Sequence, residues 1–485
     1  MRDTRFDVTA PVVPMSELGR VHIIAIGGAG MSAVARLLDE AGLVVTGSDV
    51  KDSDVLRAIA ATGLQVWVGH DPSHIDGAGT VVVSSAIRDD NVELAAARER
   101  GLRILHRSQA LASVMEKDRR IAIAGANGKT TTTAMIATVL LFTGADPSFA
   151  IGGDLVATRT NAGLGGGDCF VVEADESDGS FLAYRPDVAV VTNVQPDHLD
   201  FYGTFEAVEA AYAEFAATVR PGGLLVTCAD DAGARRLAET VRQRDGRVIT
   251  YGEAEDADVR LTEVTMSGMT GSALLTRRSG EIYRLTLPLP GLHNLLDAAA
   301  AFVAATDGVD ADPVSALAAL AAYGGVRRRF EVKGTAGGVT VIDDYAHNAG
   351  KVQALVHTAR ELVTRGRLVV AFQPHLYSRT RDFASEFAAG LVPADVAVVL
   401  DVFGAREQPI EGVSGRLISD LLQALPGDRL VVYVPERVGA AERIAGLLRP
   451  DDVLLTVGAG DITGVGPEVL ALLSEIPVYE GDTPA

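Results

Sequence analysis

The residues best suited to chemistry lie in a short loop between an apolar segment and a tract of threonines. Small residues in such a loop let backbone N–H groups turn toward a phosphate, and the helix that follows adds the positive end of its dipole. Lys129 would reach the terminal phosphates of a nucleotide, and the Thr130 hydroxyl would ligate Mg²⁺. The spacing is the short form Gly-x-x-Gly-Lys-Thr, because the longer pattern needs a glycine where Ile123 stands. The alternative is a solvated turn with an incidental lysine. We predict an ATP site formed by Gly125, Ala126, Asn127, Gly128, Lys129, Thr130 and Thr131.

Two further polar groups follow predicted strands in the same part of the chain. Glu173 ends the apolar run 170–173, at the strand edge where open α/β sheets bind their ligands. Its carboxylate would hold Mg²⁺ directly or through water. His198 follows the next strand, 188–192, and would ligate a metal or contact substrate. A lone histidine is more often structural, but its place beside the strand of Glu173 favours the functional interpretation.

A second glycine loop lies near the start of the chain. Gly28, Gly30 and Ala33 fit the pattern Gly-x-Gly-x-x-Gly/Ala after a predicted strand, and Asp49 follows the next strand. Taken alone, this pattern predicts NAD. Its chemistry, however, is a diphosphate on a helix N-terminus and an acidic group near a ribose, which a nucleotide-sugar diphosphate satisfies equally well. Glycines that serve only strand–helix packing are the alternative.

Polar side chains also follow two strands of the last third of the chain. Asp344, Tyr345 and His347 come after the strand 339–343, and Arg379 comes after the strand 368–372. Arg379 would clamp a carboxylate with two parallel hydrogen bonds. The arginines at 327–329 lie at a predicted domain junction, where they would meet ATP phosphates or form a solvated linker.

Alternating strand-like and helix-like segments must position these groups, which indicates parallel sheets with helices on their faces. We predict an α/β protein of three domains: a Rossmann-like domain at 1–107, a central P-loop ATPase-type domain at 108–325, and a Rossmann-like domain at 326–485. A polar meander is expected around 258–287, and a helix is expected to begin at 291–294. The predicted strands are 21–26, 44–47, 81–84, 170–173, 188–192, 339–343, 368–372, 396–400, 430–434 and 453–457, and the helices of the first domain are 31–41, 55–62 and 92–100.

Composition limits the class of protein. A chain of 485 residues should hold about three domains. The net charge of −21 argues against nucleic acid and anionic membranes as partners. Cys169 and Cys228 are expected to be free thiols in a reducing compartment. No secretory signal or apolar run of membrane-spanning length is visible, so we expect a cytoplasmic protein without membrane insertion.

The order of these motifs along the whole chain resembles the Mur ligase family. Each motif is weak alone, but their joint order is specific. The segments that carry the resemblance are Gly27-Gly28-Ala29-Gly30-Met31-Ser32, Ser48-Asp49, residues 128–133, residues 173–180, Asp197-His198-Leu199-Asp200, Pro290-Gly291-Leu292-His293-Asn294, Arg328-Arg329-Phe330, residues 343–347, Phe372-Gln373-Pro374-His375 and Gly458-Ala459-Gly460-Asp461-Ile462.

The resemblance implies roles for particular residues. The first domain would bind a UDP-sugar, the central domain ATP with Mg²⁺ (or Mn²⁺), and the last domain an amino acid. The implied UDP-sugar residues are Gly28, Ala29, Gly30, Met31, Ser48, Asp49 and Ser85. The implied metal ligands are Thr130, Glu173 and His198, and the further ATP contacts are His293 and Asn294 on adenine, Arg329 on phosphate and Asp344 on ribose. The implied amino-acid residues are Tyr345, His347 and Arg379, and the implied catalytic set is Lys129, Glu173, His198 and His347.

The implied activity is the ATP-dependent joining of L-alanine to the carboxylate of UDP-N-acetylmuramate, in cytoplasmic peptidoglycan precursor synthesis by a monomer or weak homodimer. The carboxylate would first become an acyl phosphate, which an amine can attack, with His347 or His198 assisting deprotonation. A nicotinamide-dependent oxidoreductase is a competing hypothesis, but it leaves Lys129, Glu173 and the third domain unexplained.

Several positions depart from the family pattern. Ala126 and Asn127 replace a Thr-His pair, Asp297 replaces an asparagine, and Leu376 stands where many members carry arginine. The segment after His347 usually reads His-Pro-Thr-Glu, and here it reads Asn348-Ala349-Gly350-Lys351. Most of these changes lie near the predicted amino-acid pocket. The alternative is therefore a paralogue that attaches a different amino acid or peptide, or one that binds without catalysis. We expect Lys351 to face solvent, which favours alanine or glycine; a Lys351 in the pocket would favour an acidic amino acid.

Overall fold

A computed structural model describes residues 6–116, 118–405 and 407–474. Within those ranges the strands form three sheets, of five, ten and six strands. The chain divides into two compact units, one ending at Val326 and one beginning at Arg327. The first unit holds two of the sheets, and the second unit holds the third.

The first sheet is wholly parallel, in the order β3-β2-β1-β4-β5. Strands β1 and β4 are buried along their whole length, which suits a sequence that is apolar apart from His22 and Thr80. The order reverses between β1 and β4, and ligands of such sheets bind at that point. The elements are β1 (Val21–Ile24), α1 (Ala29–Glu40), β2 (Val45–Asp49), α2 (Asp54–Ala61), β3 (Gln65–Val68), β4 (Thr80–Val83), α3 (Val92–Glu99), β5 (Arg103–His106) and α4 (Arg107–Val114).

The second sheet runs in the order β15-β14-β13-β12-β11-β10-β6-β9-β7-β8. Its centre is parallel from β13 to β7, while β14, β15 and β8 pair antiparallel with their neighbours. The elements are β6 (Arg119–Ala124), α5 (Lys129–Phe142), β7 (Ser148–Ala150), β8 (Ala162–Gly163), β9 (Cys169–Glu173), β10 (Val188–Val191), α6 (Leu199–Tyr202), α7 (Phe205–Ala217), β11 (Leu224–Cys228), α8 (Ala232–Arg242), β12 (Arg247–Gly252), β13 (Val259–Ser267), β14 (Thr270–Arg277), β15 (Ile282–Leu287), α9 (Leu292–Val303) and α10 (Pro313–Ala321).

The third sheet has the order β16-β17-β21-β18-β19-β20, and only the edge strand β16 is antiparallel among the strands described. The elements are β16 (Glu331–Ala336), β17 (Val339–Asp344), α11 (Ala349–Leu362), β18 (Leu368–Phe372), α12 (Tyr377–Asp382), α13 (Ala384–Gly390), β19 (Val396–Leu400), α14 (Arg416–Ala424), β20 (Leu430–Val434), α15 (Ala440–Ala445), β21 (Val453–Val457) and α16 (Val465–Ser474).

The predicted α/β class is confirmed by these sheets. The polar meander is confirmed as β13–β15, and the helix expected at 291–294 begins at Leu292. The first predicted domain boundary, after residue 107, falls at the start of α4, which packs against α1 and β4. The boundaries at 107 and 325 stay predictions. Both cysteines are buried free thiols, and burial raises the pKa of Cys169 to about 12 and of Cys228 to about 11.

Candidate active site

The phosphate loop connects the end of β6 to the first residue of α5. Gly125 and Gly128 have φ values of 136° and 85°, which favour glycine. A Cβ at Gly125 would lie 2.0 Å from Thr192 Oγ1, and a Cβ at Gly128 would lie 2.4 Å from Asp297 Oδ1. The tight packing around both positions therefore requires glycine. The loop keeps the geometry of a phosphate cradle at a helix N-terminus.

Asn127, one of the departures from the family pattern, ties the loop to the end of β10. Its backbone N–H donates to Asn193 Oδ1 at 3.0 Å, and its side-chain amide donates to Gln195 Oε1 at 3.2 Å. Its carbonyl accepts from Thr192 Oγ1 at 2.6 Å. A neutral amide at this position thus holds the loop in place without adding charge.

Lys129 is held in the loop by an acidic partner. Its Nζ donates to Gly125 O at 2.7 Å and to Glu176 Oε1 at 2.8 Å. The side chain of Glu176 is only 2% exposed. Burial opposes the charge on Lys129, but the Glu176 carboxylate outweighs it and holds the pKa of Lys129 above its usual value. The lysine is therefore charged, and an incoming phosphate must compete with Glu176 for it.

Thr130 and Glu173 form a pair of adjacent oxygen ligands. Thr130 Oγ1 donates to Glu173 Oε1 at 3.1 Å, and Gly152 N donates to Glu173 Oε2 at 2.7 Å. His198 lies nearby, with its Nε2 3.8 Å from Glu176 Oε1 and 3.9 Å from Asp197 Oδ2. Within the described residues, no group of three or more His, Cys, Asp or Glu side chains could hold a metal by itself. The hydroxyl–carboxylate pair fits Mg²⁺, which takes few protein oxygens and completes its shell with phosphate and water.

The segment predicted to contact adenine turns into α9. Gly291 has φ of 99°, and the buried Asn294 donates from Nδ2 to Pro290 O at 2.6 Å. His293 is exposed, and Thr131 on α5 is half-buried. Asn294 thus fixes this turn, while His293 is accessible from solvent.

The N-terminal glycine loop, residues 27–30, is held by Asp49. Gly27 N donates to Asp49 Oδ2 at 3.0 Å, and a Cβ at Gly27 would lie only 2.8 Å from that oxygen. Gly28 caps α1 and, like Gly30, is exposed; Met31 is buried. Ala29 is the first residue of α1. The exposed glycines at the start of α1 leave its N-terminus open to an anion.

The two serines predicted to contact the UDP-sugar have partners within the protein. Ser48 is fully buried, and its hydroxyl donates to Glu93 Oε2 at 2.5 Å. Glu93 also accepts from His74 Nδ1 at 2.7 Å, and its pKa is lowered to about 2 because hydrogen bonds from His22, Ser48 and His74 outweigh the effect of burial. Ser85 Oγ donates to Asp178 Oδ2 at 2.8 Å. Their contact with a ligand stays a prediction.

In the second unit, Asp344 organises the segment after β17. Its Oδ2 accepts from Phe330 N at 2.8 Å, and its Oδ1 accepts from Ala346 N at 2.7 Å. Burial raises the pKa of Asp344, against the charge of Arg329. Arg329 also lies over the Tyr345 ring, 5.6 Å from its centre. Asp344, Arg329 and Tyr345, three of the predicted contacts, are thus brought together at the carboxyl end of β17.

His347 lies beside Tyr345 and Arg379. Its Nδ1 donates to Tyr345 O at 3.0 Å, and Arg379 Nη1 donates to His347 O at 3.3 Å. Burial, together with the charges of Arg379 and Lys351, lowers the pKa of His347 to about 4. The imidazole is therefore neutral near pH 7, with Nε2 as its hydrogen-bond acceptor.

The altered segment 348–351 begins α11. Asn348 Oδ1 accepts from Lys351 N at 2.8 Å, which is an ordinary N-cap. The charge of Lys351 is one of those that lower the pKa of His347. The direction that Lys351 faces when an amino acid is bound stays a prediction. Leu376, at the N-cap position of α12, is buried with φ of 72°.

Three family models cover most of the chain. They are the Mur ligase family catalytic domain at residues 20–119, the Mur ligase middle domain at residues 123–305, and the Mur ligase glutamate ligase domain at residues 328–460. A protein from Kineococcus radiotolerans named UDP-N-acetylmuramate–L-alanine ligase is 53% identical over 469 residues, which are 96% of this chain and 98% of the relative. The protein of the same name from Paenarthrobacter aurescens is 49% identical over 96% of this chain and all of its own length.

The chain belongs to the Mur ligase family. A solved structure of UDP-N-acetylmuramate-alanine ligase from Thermotoga maritima has a TM-score of 0.79 and 29% identity, and the match covers 93% of this Mur ligase and 98% of that chain. A murein peptide ligase from Psychrobacter arcticus has a TM-score of 0.68 at 23% identity, which shows a shared fold. The predicted family and three-part fold are thereby confirmed. None of the helices in the described ranges is long and apolar enough to cross a membrane.

Three groups in this Mur ligase have roles that we did not predict from the sequence. Glu176 lies in residues 173–180, one of the segments that resemble the family. No pattern in the sequence around it indicates that it pairs with Lys129. Arg107 contacts Asp175, and Glu93 holds Ser48, through tertiary contacts alone. Within the first unit Thr130 contacts Glu173, and Lys129 and His198 both lie beside Glu176. The joint role of Thr130, Glu173 and His198 as metal ligands stays a prediction.

Proposed function

We propose that this chain is an ATP-dependent ligase that joins L-alanine to the carboxylate of UDP-N-acetylmuramate. The observation that carries the proposal is the similarity, at about half of all positions and over nearly the whole chain, to relatives of that name. The phosphate loop, with Lys129 in place and Thr130 beside Glu173, supports an ATP-dependent reaction.

Amide formation from a carboxylate needs an activated acyl group, because oxide is a very poor leaving group. Transfer of the γ-phosphoryl group from ATP to the muramyl carboxylate gives an acyl phosphate and ADP. The amine of the amino acid then attacks the acyl carbon, and inorganic phosphate leaves. Both steps concentrate negative charge on the transferred phosphoryl group, where preorganised cations contribute most.

Lys129 and the loop amides would stabilise that charge. Nucleotide binding would draw the Lys129 ammonium from Glu176 to the phosphates, which are the stronger anion. Thr130 and Glu173 are the residues that would hold Mg²⁺, and a bound Mg²⁺ would offset charge on the phosphate oxygens. Glu176 Oε2 is buried and has no hydrogen-bond partner among the described residues. The Glu176 carboxylate could therefore accept a further hydrogen bond when Lys129 moves.

The second unit would bind the amino acid. Arg379 presents a guanidinium for the α-carboxylate, and the neutral His347 presents Nε2 as an acceptor for an amine proton. With its pKa lowered to about 4, His347 would orient the amine rather than remove a proton from an ammonium by itself. The amino acid would therefore react as the fraction already deprotonated, or pass its proton to solvent.

We place this activity in the cytoplasm, where ATP and UDP-sugars are made, and we retain the predictions of Mg²⁺ (or Mn²⁺) dependence and of a monomer or weak homodimer. The net charge of −21 supports small anionic substrates held at local cationic sites over nucleic acid.

The test is phosphate release by the purified full chain with ATP, Mg²⁺ and UDP-N-acetylmuramate, screened across alanine, glycine, serine, aspartate and glutamate. We expect alanine to give the highest kcat/KM. An acidic amino acid in first place would overturn the L-alanine assignment. No turnover with any of them, alongside normal UDP-N-acetylmuramate binding, would instead indicate a paralogue with another acceptor or a binding role.

A further inference from the structure

Arg107 connects the N-terminal glycine loop with an acidic segment of the central sheet. It is the first residue of α4, and its guanidinium lies against the loop, since a Cβ at Gly30 would be 2.7 Å from Arg107 Nη1. On the other side, Arg107 Nη2 donates to Asp175 Oδ2 at 2.8 Å and lies 4.0 Å from Asp178 Oδ2. The glycine loop and Asp175 thus meet at one cation.

The contact is charged and partly open to solvent. The side chains of Arg107 and Asp175 are 26% and 40% exposed. Burial disfavours the charged form of both side chains. The negative charge of Asp175 nevertheless raises the pKa of Arg107, and the positive charge of Arg107 lowers the pKa of Asp175. Asp178 is already engaged by Ser85 Oγ at 2.8 Å and lies 3.4 Å from His106 Nε2. Asp175 is therefore the carboxylate that an incoming anion would most easily displace.

We infer that Arg107 binds the diphosphate of the sugar nucleotide and that Asp175 competes with the diphosphate for it. This inference rests on the proposed function, which puts a UDP-sugar on the glycine loop. A diphosphate at the exposed N-terminus of α1 would lie next to the arginine that already touches Gly30. Arginine suits this task because its planar donors match phosphate oxygens in pairs.

Because Arg107 would bind the diphosphate and Asp175 would compete with it, replacing the two residues should affect the affinity for UDP-N-acetylmuramate differently. In Arg107→Gln the cation is lost, so binding of UDP-N-acetylmuramate, measured by titration calorimetry, should weaken about ten- to hundredfold, as for a charge-assisted hydrogen bond. In Asp175→Asn the competitor is lost, so binding should be unchanged or tighter. Arg107→Lys keeps the charge without the paired donors and should fall between wild type and Arg107→Gln.

A merely structural bridge between the two sheets predicts something different. It would make Arg107→Gln and Asp175→Asn weaken binding alike, and that result would overturn the inference. The matched control is Arg36→Gln. Arg36 on α1 also connects the first and second sheets, since its Nη1 lies 3.5 Å from Asn161 Oδ1 just before β8. We expect this control to bind UDP-N-acetylmuramate as wild type does.

A second probe isolates the phosphates. Ligand-detected NMR with UDP and with uridine should show the Arg107→Gln effect for UDP alone; an equal loss for uridine would also overturn the inference. The circular dichroism spectrum should be unchanged in every variant, which reports an intact fold. If wild type binds no UDP nucleotide, the inference falls together with the substrate assignment, whereas normal binding in Arg107→Gln refutes the inference and leaves the proposed function standing.

Discussion

Asp297 should make the stability of the central sheet depend on pH, and replacing it with asparagine should remove that dependence. Asp297 lies on α9 with 7% exposure, directly behind the phosphate loop, where its Oδ1 would be 2.4 Å from a Cβ at Gly128. Burial raises the pKa of Asp297 to about 8, and the neighbouring Thr132, which lowers it, offsets only part of that rise. The negative charge of ionised Asp297 also contributes to the raised pKa values of the buried Tyr251 and Tyr323.

The sign follows from the direction of this shift. In the unfolded chain the carboxyl group has a pKa of 3.8, so near pH 7 folding must take up a proton. The stability that protonated Asp297 contributes is complete below pH 3.8 and is lost as pH rises through about 8. Each pH unit in that window removes about 1.4 kcal/mol, which amounts to about 4 kcal/mol at pH 7. An asparagine has no proton to take up and avoids this loss.

Hydrogen exchange measured by mass spectrometry on peptides covering α9 and α5 gives the local free energy of opening. Compared with wild type at the same pH, Asp297→Asn should gain about 1.4 kcal/mol more stability for each unit between pH 5 and pH 8. Asp310→Asn is a matched control, because that side chain is 87% exposed and its difference from wild type should not change over this range. A difference for Asp297→Asn that is constant with pH would refute the reasoning.

Three further results are expected. Lys129→Ala should lower ATP-dependent phosphate release by at least about a hundredfold, with an unchanged circular dichroism spectrum, because it removes a preorganised cation; near-normal turnover would exclude the phosphate loop from the mechanism. His347→Gln should lower kcat/KM for the amino acid without moving its profile between pH 6 and pH 8, since the His347 pKa of about 4 puts its own titration below that range. Lys351→Ala should leave the ratio of kcat/KM for alanine to that for aspartate unchanged in the same assay, and a fall in the aspartate value alone would place Lys351 in the pocket.

The sequence predicted the buried strands well and most of the edge strands poorly. Strands β18, β19 and β21 have the predicted bounds, because central strands of a parallel sheet form unbroken apolar runs bounded by polar residues. The edge strand β20 also has its predicted bounds, because its sequence is just as apolar although its residues are partly exposed. Strand β3 was missed because Gln65–Val68 is an edge strand with partly exposed residues at every position. Strands β7 and β8 are only three and two residues long, too short for any periodicity to show.

The candidate site divides in a similar way. The phosphate loop and Glu173 are local patterns, a loop between strand and helix and a carboxylate at a strand end, so spacing alone indicates them. The pairing of Lys129 with Glu176 depends on how β6 and β9 lie side by side, which spacing does not give. The departure at Asp297 was visible as a residue type, but its effect depends on burial behind Gly128, which is a tertiary property.

The segment that follows β9 shows why these tertiary contacts matter for function. Glu173 accepts from Thr130, Glu176 holds Lys129, and Asp175 holds Arg107. Lys129 and Arg107, the two cations of the first unit that would meet a substrate phosphate, are thus already paired with carboxylates from this one segment. Any anion must displace a carboxylate before it binds to either cation. Inorganic phosphate therefore gains little binding free energy at either site, whereas a nucleotide gains more because its other groups make further contacts. The acidic segment would therefore favour complete substrates over stray anions, and it would do so at both sites of the first unit.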